Sequence, residues 1–161
     1  MSLALWLAAF REMHEKARRG ALDARELAAY KAGRDELARA LLAAQRLTLK
    51  PGETPRQALR VARALQLDLD LLTSHERAIT VDLSNGGFSC LLAKAPPLGD
   101  EVGFSLRMPA AAALAGKARV ADAKPHTGSV RVSFQFLNLS TDEKERVEMF
   151  VFDTVLAQLS G

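Results

Sequence analysis

The stretch Ile79-Thr80-Val81-Asp82-Leu83-Ser84-Asn85-Gly86-Gly87-Phe88 contains an alternating segment that runs directly into a turn. Its apolar residues Ile79, Val81 and Leu83 are separated by single polar residues, which is the period-2 pattern of a strand with one face on a core. The Asn-Gly-Gly sequence that follows is typical of a tight hairpin turn. This stretch therefore predicts an antiparallel strand with these three residues facing the core and its polar residues on the outer surface.

The same alternation recurs on both sides of this stretch. Apolar residues occupy every second position in segments 65–71, 102–108 and 130–136, and shorter strands are predicted around 88–92 and 117–121. Turn-forming residues separate these segments at 84–87, 96–100 and 126–128. The alanine-rich segment 110–115, with Gly116, is interpreted as a loop or a helical turn. About six short antiparallel strands in one unit predict a small closed barrel, because closure removes the exposed strand edges.

A helical pattern precedes the predicted barrel. Apolar residues recur at helical spacing over the first turns, and Gly20 then interrupts the pattern. A second helix is predicted to begin after Asp23, with Glu26 at the capping-box position. Two prolines and a glycine at positions 51, 52 and 55 end this helix. Three parts are therefore predicted: a helical hairpin over 1–48, a linker over 49–64, and a barrel with a C-terminal helix over 65–160.

The second helix leaves two interpretations of the hairpin open. Leu27, Tyr30, Leu37 and Leu41 follow one another at heptad-like spacing, and Arg34 interrupts their seam. Such a stripe packs either on the chain's own domain or on a second copy of the chain. Because large apolar stripes need a covering surface, we favour a homodimer, with Leu37 and Leu41 near the centre of its contact and Arg34 setting the register.

The C-terminal segment predicts a further helix. Ser140 is a suitable cap, and Asp142 and Glu143 supply the acidic first turn that stabilises a helix N-terminus. Apolar residues cover a wide arc of this helix: Val147, Met149, Phe150, Val151, Phe152, Val155, Leu156 and Leu159. A barrel wall needs only a narrower stripe, so we expect the helix to be sandwiched by the N-terminal helices or by a second subunit.

The composition of the 161 residues is that of a soluble globular protein, with 48% hydrophobic and 25% charged residues. No apolar run approaches the ~20 residues that cross a membrane, and the N-terminus lacks the basic and cleavage regions of a signal peptide. The net charge of +3 alone supports neither nucleic-acid nor membrane binding. The single cysteine, Cys90, excludes an internal disulfide and fits a reducing compartment. We therefore expect a cytoplasmic protein.

Nothing in the sequence favours catalysis or a metal centre. His14, His75 and His126 lie on different predicted elements, so neither a metal site nor a histidine-based triad is indicated. The carboxylates of Asp68 and Asp70 fall on the outer face of a strand, where solvation is their ordinary state. We expect a binding protein rather than an enzyme, without a metal or cofactor.

Two short motifs flank the first predicted strand and carry the candidate binding chemistry. Arg56 and Arg60 form Arg-x-x-x-Arg, and Asp82, Ser84 and Gly87 form Asp-x-Ser-x-x-Gly. A guanidinium forks onto a phosphate or onto the O6/N7 edge of guanine, and it also stacks on a base. A carboxylate accepts from the N–H donors of guanine, and a glycine lets a ligand approach the backbone. Either motif alone is an ordinary linker or turn, but together they indicate a site for a phosphorylated purine.

These motifs resemble the PilZ domain family. The similarity extends over about 53–158 and is carried by segments 56–67, 82–88, 96–102 and 132–140. The resemblance implies a six-stranded antiparallel barrel with a C-terminal helix, and a cytoplasmic bacterial receptor for cyclic di-GMP. It implies Arg56 and Arg60 on phosphates and guanine, Asp82 and Ser84 on a guanine edge, and Gly87 allowing close contact. Many members carry another arginine directly before the arginine pair, whereas this chain has Pro55 there.

Two functions of different classes remain open. In the first, cyclic di-GMP closes the arginine linker over the barrel and changes a surface offered to a protein partner, in motility, adhesion, secretion or transcription. In the second, a scaffold of PilZ shape works with little or no nucleotide, which Pro55 and the helical hairpin favour. A nucleic-acid-binding barrel would need outward aromatic residues, but Phe104, Phe134 and Phe136 fall on inward positions. The receptor is our first hypothesis, because both motifs are complete.

Overall fold

The computed structural model describes residues 2–47, 59–109 and 111–159. Within these ranges it contains two N-terminal helices, α1 (Leu3–Arg18) and α2 (Ala24–Leu47), then seven strands and a C-terminal helix, α3 (Thr141–Leu159). The strands are β1 (Arg60–Ala62), β2 (Gln66–Asp70), β3 (His75–Ser84), β4 (Gly87–Leu92), β5 (Glu101–Leu106), β6 (Leu114–His126) and β7 (Ser129–Leu137). The chain forms two compact units: α1, α2 and the end of α3 belong to one, and Arg60–Thr154 forms the other.

Six strands form a closed antiparallel ring. Their order is β3-β2-β5-β6-β7-β4, and β4 pairs back with β3. The short strand β1 adds to the C-terminal half of β3, which places Arg60 opposite Ser84. The predicted barrel, with two helices before it and one after it, is confirmed. β1 lies within the segment predicted as a linker, because three residues next to a free strand edge suffice for pairing.

The barrel interior is filled by the inward residues of the alternating strands. A cluster of aromatic rings lies at its centre: Phe88 and Phe134 have ring centroids 5.1 Å apart, and Phe104 and Phe136 have centroids 5.4 Å apart. The predicted inward positions of Phe104, Phe134 and Phe136 are thereby confirmed. Full burial of each such ring stabilises the fold by about 1.5–3 kcal/mol. Cys90 is also a core residue, as predicted, and burial raises the pKa of its thiol to about 12.

The prediction that Ile79 faces the core is wrong. Its side chain is 59% exposed, whereas the neighbouring Thr80 is buried. A bulge between Thr80 and Asp82 inserts one extra residue, Val81, and shifts the alternation along β3. The buried hydroxyl of Thr80 is satisfied, because it donates to the Arg63 carbonyl at 2.6 Å and accepts from the Leu65 amide at 2.8 Å.

A second correction concerns the alanine-rich segment after β5. The sequence predicts a loop or helical turn over 110–115 with Gly116, and a short strand over 117–121. In the structure β6 begins at Leu114 and runs for 13 residues to His126. Leu114 is fully buried, and Gly116 lies against the Phe104 ring. The small residues of this segment do not produce the alternation of large apolar and polar side chains by which a strand is predicted. They are small because the Phe104 ring of the neighbouring strand occupies the space beside them.

The helical unit begins each helix with a local cap. In α2 the Asp23 carboxylate accepts from the Glu26 amide at 2.8 Å, and Glu26 accepts from the Asp23 amide at 3.2 Å, which confirms the predicted capping box. Between the helices Gly20 takes a positive φ of 68°, the conformation that commonly ends a helix. Phe10 of α1 stacks on Tyr30 of α2 at a centroid distance of 5.5 Å.

This packing changes the predicted dimer contact. Tyr30 is fully buried, Arg34 is buried, and Leu37 is only 7% exposed within a single chain. Leu37 therefore cannot lie at the centre of an intermolecular contact in this conformation, and Arg34 cannot set its register. Leu27 is 38% exposed and Leu41 is half-buried, so these are the apolar residues of the stripe that a second copy could still contact, and the homodimer stays a prediction.

Helix α3 also begins as predicted. The Ser140 hydroxyl accepts from the Glu143 amide at 3.1 Å, and Glu143 accepts from the Ser140 amide at 2.9 Å. These hydrogen bonds hold the pKa of Glu143 below its usual value. In the helical unit, Arg11 donates to the Leu156 carbonyl at 3.3 Å, so the end of α3 contacts an N-terminal helix as expected. Among the described helices, none is long and apolar enough to span a membrane.

Candidate functional site

The pairing of β1 with β3 brings the two motifs into contact. Ala62 lies opposite Asp82, and Arg60 lies opposite Ser84. Residues that face each other across an antiparallel pair share one face of the sheet, here the outer face, because Leu83 between them points into the core. Arg60 Nη1 lies 3.5 Å from Asp82 Oδ1. The last residue of the first motif therefore forms an ion pair with the first residue of the second.

The Asp82 carboxylate has two further partners from the opposite side of the site. Ser89 Oγ on β4 donates to Asp82 Oδ1 at 2.8 Å, and Arg131 Nη2 on β7 donates to Asp82 Oδ2. Arg131 Nε also donates to Ser89 Oγ at 3.4 Å. Asp82 is only 6% exposed, and its burial is tolerated because it is both ion-paired and hydrogen-bonded. The predicted outward position is thus correct in direction, but neighbouring side chains cover the carboxylate.

Ser84 shapes the turn that follows β3. Its hydroxyl accepts from the Gly86 amide at 3.2 Å and lies 3.4 Å from the Gly87 carbonyl, to which it donates. Such a local bond fixes the turn backbone. Asn85 Nδ2 at the tip donates to Glu148 Oε2 on α3 at 2.9 Å. Ser84 is buried, so the outward-facing hydroxyl predicted from the sequence is used by its own turn.

Gly87 has a structural reason to be glycine. A Cβ atom at this position would lie 2.0 Å from the Phe134 carbonyl oxygen and 3.2 Å from Gln135 Cα, both on β7. The space that a side chain would occupy is therefore filled by the backbone of the neighbouring strand. The sequence indicated a different role, in which Gly87 gives room to a ligand, and that role stays a prediction.

The site carries an excess of positive charge. Arg60 and Arg131 share the single carboxylate of Asp82, and their side chains keep 33% and 36% of their surfaces exposed. Asp122, which lies opposite Ser133 on the neighbouring strand pair, is 3.9 Å from the Lys124 ammonium. We call Arg60, Asp82, Ser89 and Arg131 the Asp82 cluster. Its two partly exposed guanidiniums suit it to an anion with planar acceptor groups.

The structure therefore brings together part of the predicted site and adds to it. Arg60, Asp82, Ser84 and Gly87 lie along the outer ends of β1, β3 and β4. Arg56 lies outside the described residues. Ser89 and Arg131 were not predicted as site residues. Alternation places Arg131 on the outer face of its strand, but only the pairing of β7 with β4 and of β4 with β3 brings it to Asp82.

A second group of titratable side chains lies at the opposite end of β3. His75 Nδ1 is hydrogen-bonded to Asp70 Oδ1 at 2.6 Å, and His75 Nε2 lies 3.6 Å from Asp68 Oδ1. The hydrogen bond and the negative charges of both carboxylates raise the pKa of His75. All three side chains are exposed. Within the described ranges no group of His, Cys, Asp and Glu is arranged to hold a metal ion.

Comparison with known proteins supplies a family and a set of folds. The PilZ domain family matches residues 54–153 of the chain, and no curated protein matches it. Escherichia coli YcgR in complex with c-di-GMP, or cyclic di-GMP, is 22% identical with a TM-score of 0.59, over 65% of this chain and 48% of that one. The PilZ domain of E. coli YcgR with c-di-GMP is 20% identical with a TM-score of 0.55, over 66% and 96%.

A third similar structure is the K. pneumonia MrkH–c-di-GMP complex. It is 14% identical with a TM-score of 0.60, over 67% of this chain and 56% of MrkH. The matched region thus spans about half the length of the YcgR and MrkH chains. At these identities the likeness concerns the fold of the barrel.

Proposed function

The chain belongs to the PilZ domain family, and from this premise we propose that it is a cyclic di-GMP receptor that relays the level of the nucleotide to a protein partner. One observation carries the proposal: the ion pair between Arg60 and Asp82 joins the two motifs on the outer face of the barrel. Two of the similar structures, the YcgR PilZ domain and MrkH, are described as complexes with c-di-GMP. A binding module of this kind is not an enzyme and uses the nucleotide as a ligand rather than as a cofactor.

The proposed contacts follow from the chemistry of each side chain. Arg60, and Arg56 beyond the described residues, bind the phosphates and the O6/N7 edge of guanine. Asp82 and Ser84 bind the Watson–Crick edge of guanine, where an ionised carboxylate accepts from N–H donors. Gly87 keeps side-chain bulk away from the same surface.

The relay is proposed to work through movement of the arginine linker. When the nucleotide binds, its phosphates attract both arginines of the motif and draw the linker over the barrel, which changes the surface available to a partner. A ligand shifts such an equilibrium only by as much as it favours the closed state. We place this event in the cytoplasm. A homodimer through the N-terminal helices also stays a proposal; the apolar side chains left exposed for it in the described part are Leu3, Leu5 and Leu27.

Calorimetric titration of the full chain with cyclic di-GMP tests the proposal. Saturable binding at near-physiological salt is expected, with much weaker binding of GMP and GTP, which lack the second guanosine and the two phosphodiester groups of the ring. Arg77→Ala serves as the control, because this exposed arginine lies on the other half of β3, where its Nε is 3.7 Å from the exposed carboxylate of Asp68. Absence of heat and of a thermal shift at high-micromolar cyclic di-GMP would refute the receptor function.

A scaffold that acts with little or no nucleotide is the second candidate, and one observation favours it. Asp82 is already engaged by Arg60, Ser89 and Arg131, and Ser84 is engaged by its own turn. A guanine base would have to add to these contacts or replace them. If the titration gives no binding while the protein remains folded, the scaffold function becomes the better explanation.

A further inference from the structure

Arg131 belongs to neither motif, yet it makes two contacts within the Asp82 cluster. Its Nη2 donates to Asp82 Oδ2, and its Nε donates to Ser89 Oγ at 3.4 Å. Ser89 in turn donates to Asp82 Oδ1 at 2.8 Å and is completely buried. The guanidinium is therefore fixed at two points by groups that cannot move freely. Such preorganisation lowers the entropic cost of binding a ligand.

The same guanidinium still has donors for a ligand. Two of its five N–H groups account for the contacts with Asp82 and Ser89, and the side chain remains 36% exposed. Arg60 approaches the same carboxylate from β1 and is 33% exposed. The two arginines therefore flank Asp82 from β1 and β7 on the outer face of the barrel, each with part of its surface open to solvent.

The charge balance argues that Arg131 does more than neutralise Asp82. One arginine suffices to pair with one carboxylate, and Arg60 already lies within 3.5 Å of it. A second guanidinium at the same carboxylate adds repulsion between like charges, which an anion bound over the pair would relieve. Asp122, which lies opposite Ser133 on the same ladder, is 3.9 Å from the Lys124 ammonium and is therefore already next to a positive charge of its own.

We infer that Arg131 is a phosphate-anchoring arginine of the nucleotide site, preorganised by Asp82 and Ser89. The inference rests on the proposed receptor function and extends its binding surface from β1 and β3 across β4 to β7. Arg131 would supply one arm of a clamp on the phosphates of cyclic di-GMP, and Arg60 the other. A guanidinium serves this role better than an ammonium: a lysine keeps the charge that attracts a phosphate, but it cannot hold Ser89 and Asp82 and still fork onto that phosphate.

The test compares the full-length wild type with Arg131→Ala, Arg131→Lys, Arg60→Ala and Arg77→Ala by calorimetric titration with cyclic di-GMP. Arg131→Ala removes a charge-assisted hydrogen bond to the phosphate and the binding free energy that this bond supplies. We therefore expect it to weaken binding by about 10- to 100-fold. Arg131→Lys should fall between the wild type and Arg131→Ala. Arg77→Ala removes one positive charge from another part of β3 and should change the affinity less than about 3-fold.

Salt dependence separates ligand contact from a purely structural role. If Arg131 contacts a phosphate, the affinity of Arg131→Ala should fall less steeply with added salt than that of the wild type. If it only supports Asp82, the salt dependence stays unchanged, and Arg131→Lys loses as much affinity as Arg131→Ala. That result, or an unchanged affinity in both variants, overturns the inference while the binding by the wild type keeps the receptor function. A wild type that binds no cyclic di-GMP overturns the receptor function and the inference with it.

Discussion

Substitution of Gly87 by alanine should destabilise the barrel without any ligand being present. The added Cβ would lie 2.0 Å from the Phe134 carbonyl oxygen, whereas ordinary contacts between such atoms begin at about 3.5 Å. β7 would have to move by about 1.5 Å, a shift estimated from that difference in contact distance. The Phe134 carbonyl belongs to a strand paired along its whole length with β4 or β6, so the movement disturbs several hydrogen bonds.

The size of the effect follows from this geometry. Overpacking of a well-packed region costs about 1–3 kcal/mol and occasionally more. Because the obstructing atom is backbone rather than the end of a flexible side chain, we expect Gly87→Ala to lower the free energy of unfolding by about 3 kcal/mol. With a slope of about 2 kcal/mol per molar urea, the unfolding midpoint falls by about 1.5 M.

Gly86→Ala is the matched control for this substitution. A Cβ at Gly86 would have Ser84 Oγ at 3.8 Å as its nearest neighbour, an ordinary contact, and the residue is exposed. We expect its free energy of unfolding to stay within about 1 kcal/mol of the wild type. Urea unfolding is followed by far-ultraviolet circular dichroism and by amide exchange in β4 and β7. Tryptophan fluorescence is unsuitable, since the single tryptophan, Trp6, lies in α1 of the helical unit.

A Gly87→Ala protein as stable as the Gly86→Ala protein would refute this reasoning. It would mean that β7 does not approach the motif glycine closely. If the same variant also lost cyclic di-GMP binding, the role indicated by the sequence, in which Gly87 makes room for a ligand, would be the correct one.

Three further outcomes are expected. Arg60→Ala should weaken cyclic di-GMP binding by about 10- to 100-fold while the fold survives, and loss of the fold would contradict its assigned role. His75, whose pKa is raised by Asp70, should titrate above 6.5 by nuclear magnetic resonance; Asp70→Asn should lower that value. Because the folded state raises the pKa of His75, the stabilisation from its interaction with Asp70 is complete below pH 6.5 and is lost as the pH rises through the raised pKa. If the homodimer forms through the exposed N-terminal residues, light scattering should show a dimer that Leu5→Glu converts to a monomer.

The features that the sequence predicted well depend on short stretches of chain. The capping box at Asp23 and the cap residue with an acidic first turn at Ser140 each involve residues within a few positions of one another, so both are visible without knowledge of the fold. The strands β2, β5 and β7 alternate without interruption, and their inward residues follow from parity alone. Closure into a barrel then follows from the number of short strands and the turns between them.

The failures occur where a partner strand decides the outcome. Ile79 alternates as regularly as its neighbours, but a bulge at Val81 shifts the pattern, and only the change of partner from β2 to β4 along β3 shows it. The start of β6 at Leu114 is not predicted, because an alanine-rich segment shows no alternation of large apolar residues. The ring that fills the space beside Gly116 comes from Phe104 of β5, which the sequence of this segment does not show. The sequence places Leu37 at a contact with a second subunit, because the residues of the same chain that bury it are not visible in the sequence of one helix.

The candidate site shows the same division between local and distant information. Sequence motifs identified Arg60 and Asp82 as chemically suited to a nucleotide, and the β1–β3 pairing places them in contact. The motifs give no sign that Asp82 is also bound by a serine from β4 and an arginine from β7. These two partners become visible only through the register of three neighbouring strands.

This network has a consequence for how a nucleotide would bind. An ionised carboxylate offers about four lone-pair sites, and Asp82 already meets Arg60, Ser89 and Arg131. Guanine therefore does not enter an empty site but exchanges with, or joins, donors that are already in place. The net free energy of such an exchange is the difference between the hydrogen bonds within the Asp82 cluster and those made to the nucleotide. Both sets are strong, so the difference between them is small. A complete motif thus fixes the chemistry of the site, whereas its affinity depends on whether a donor displaced from Asp82, such as Arg60, finds a phosphate in its place.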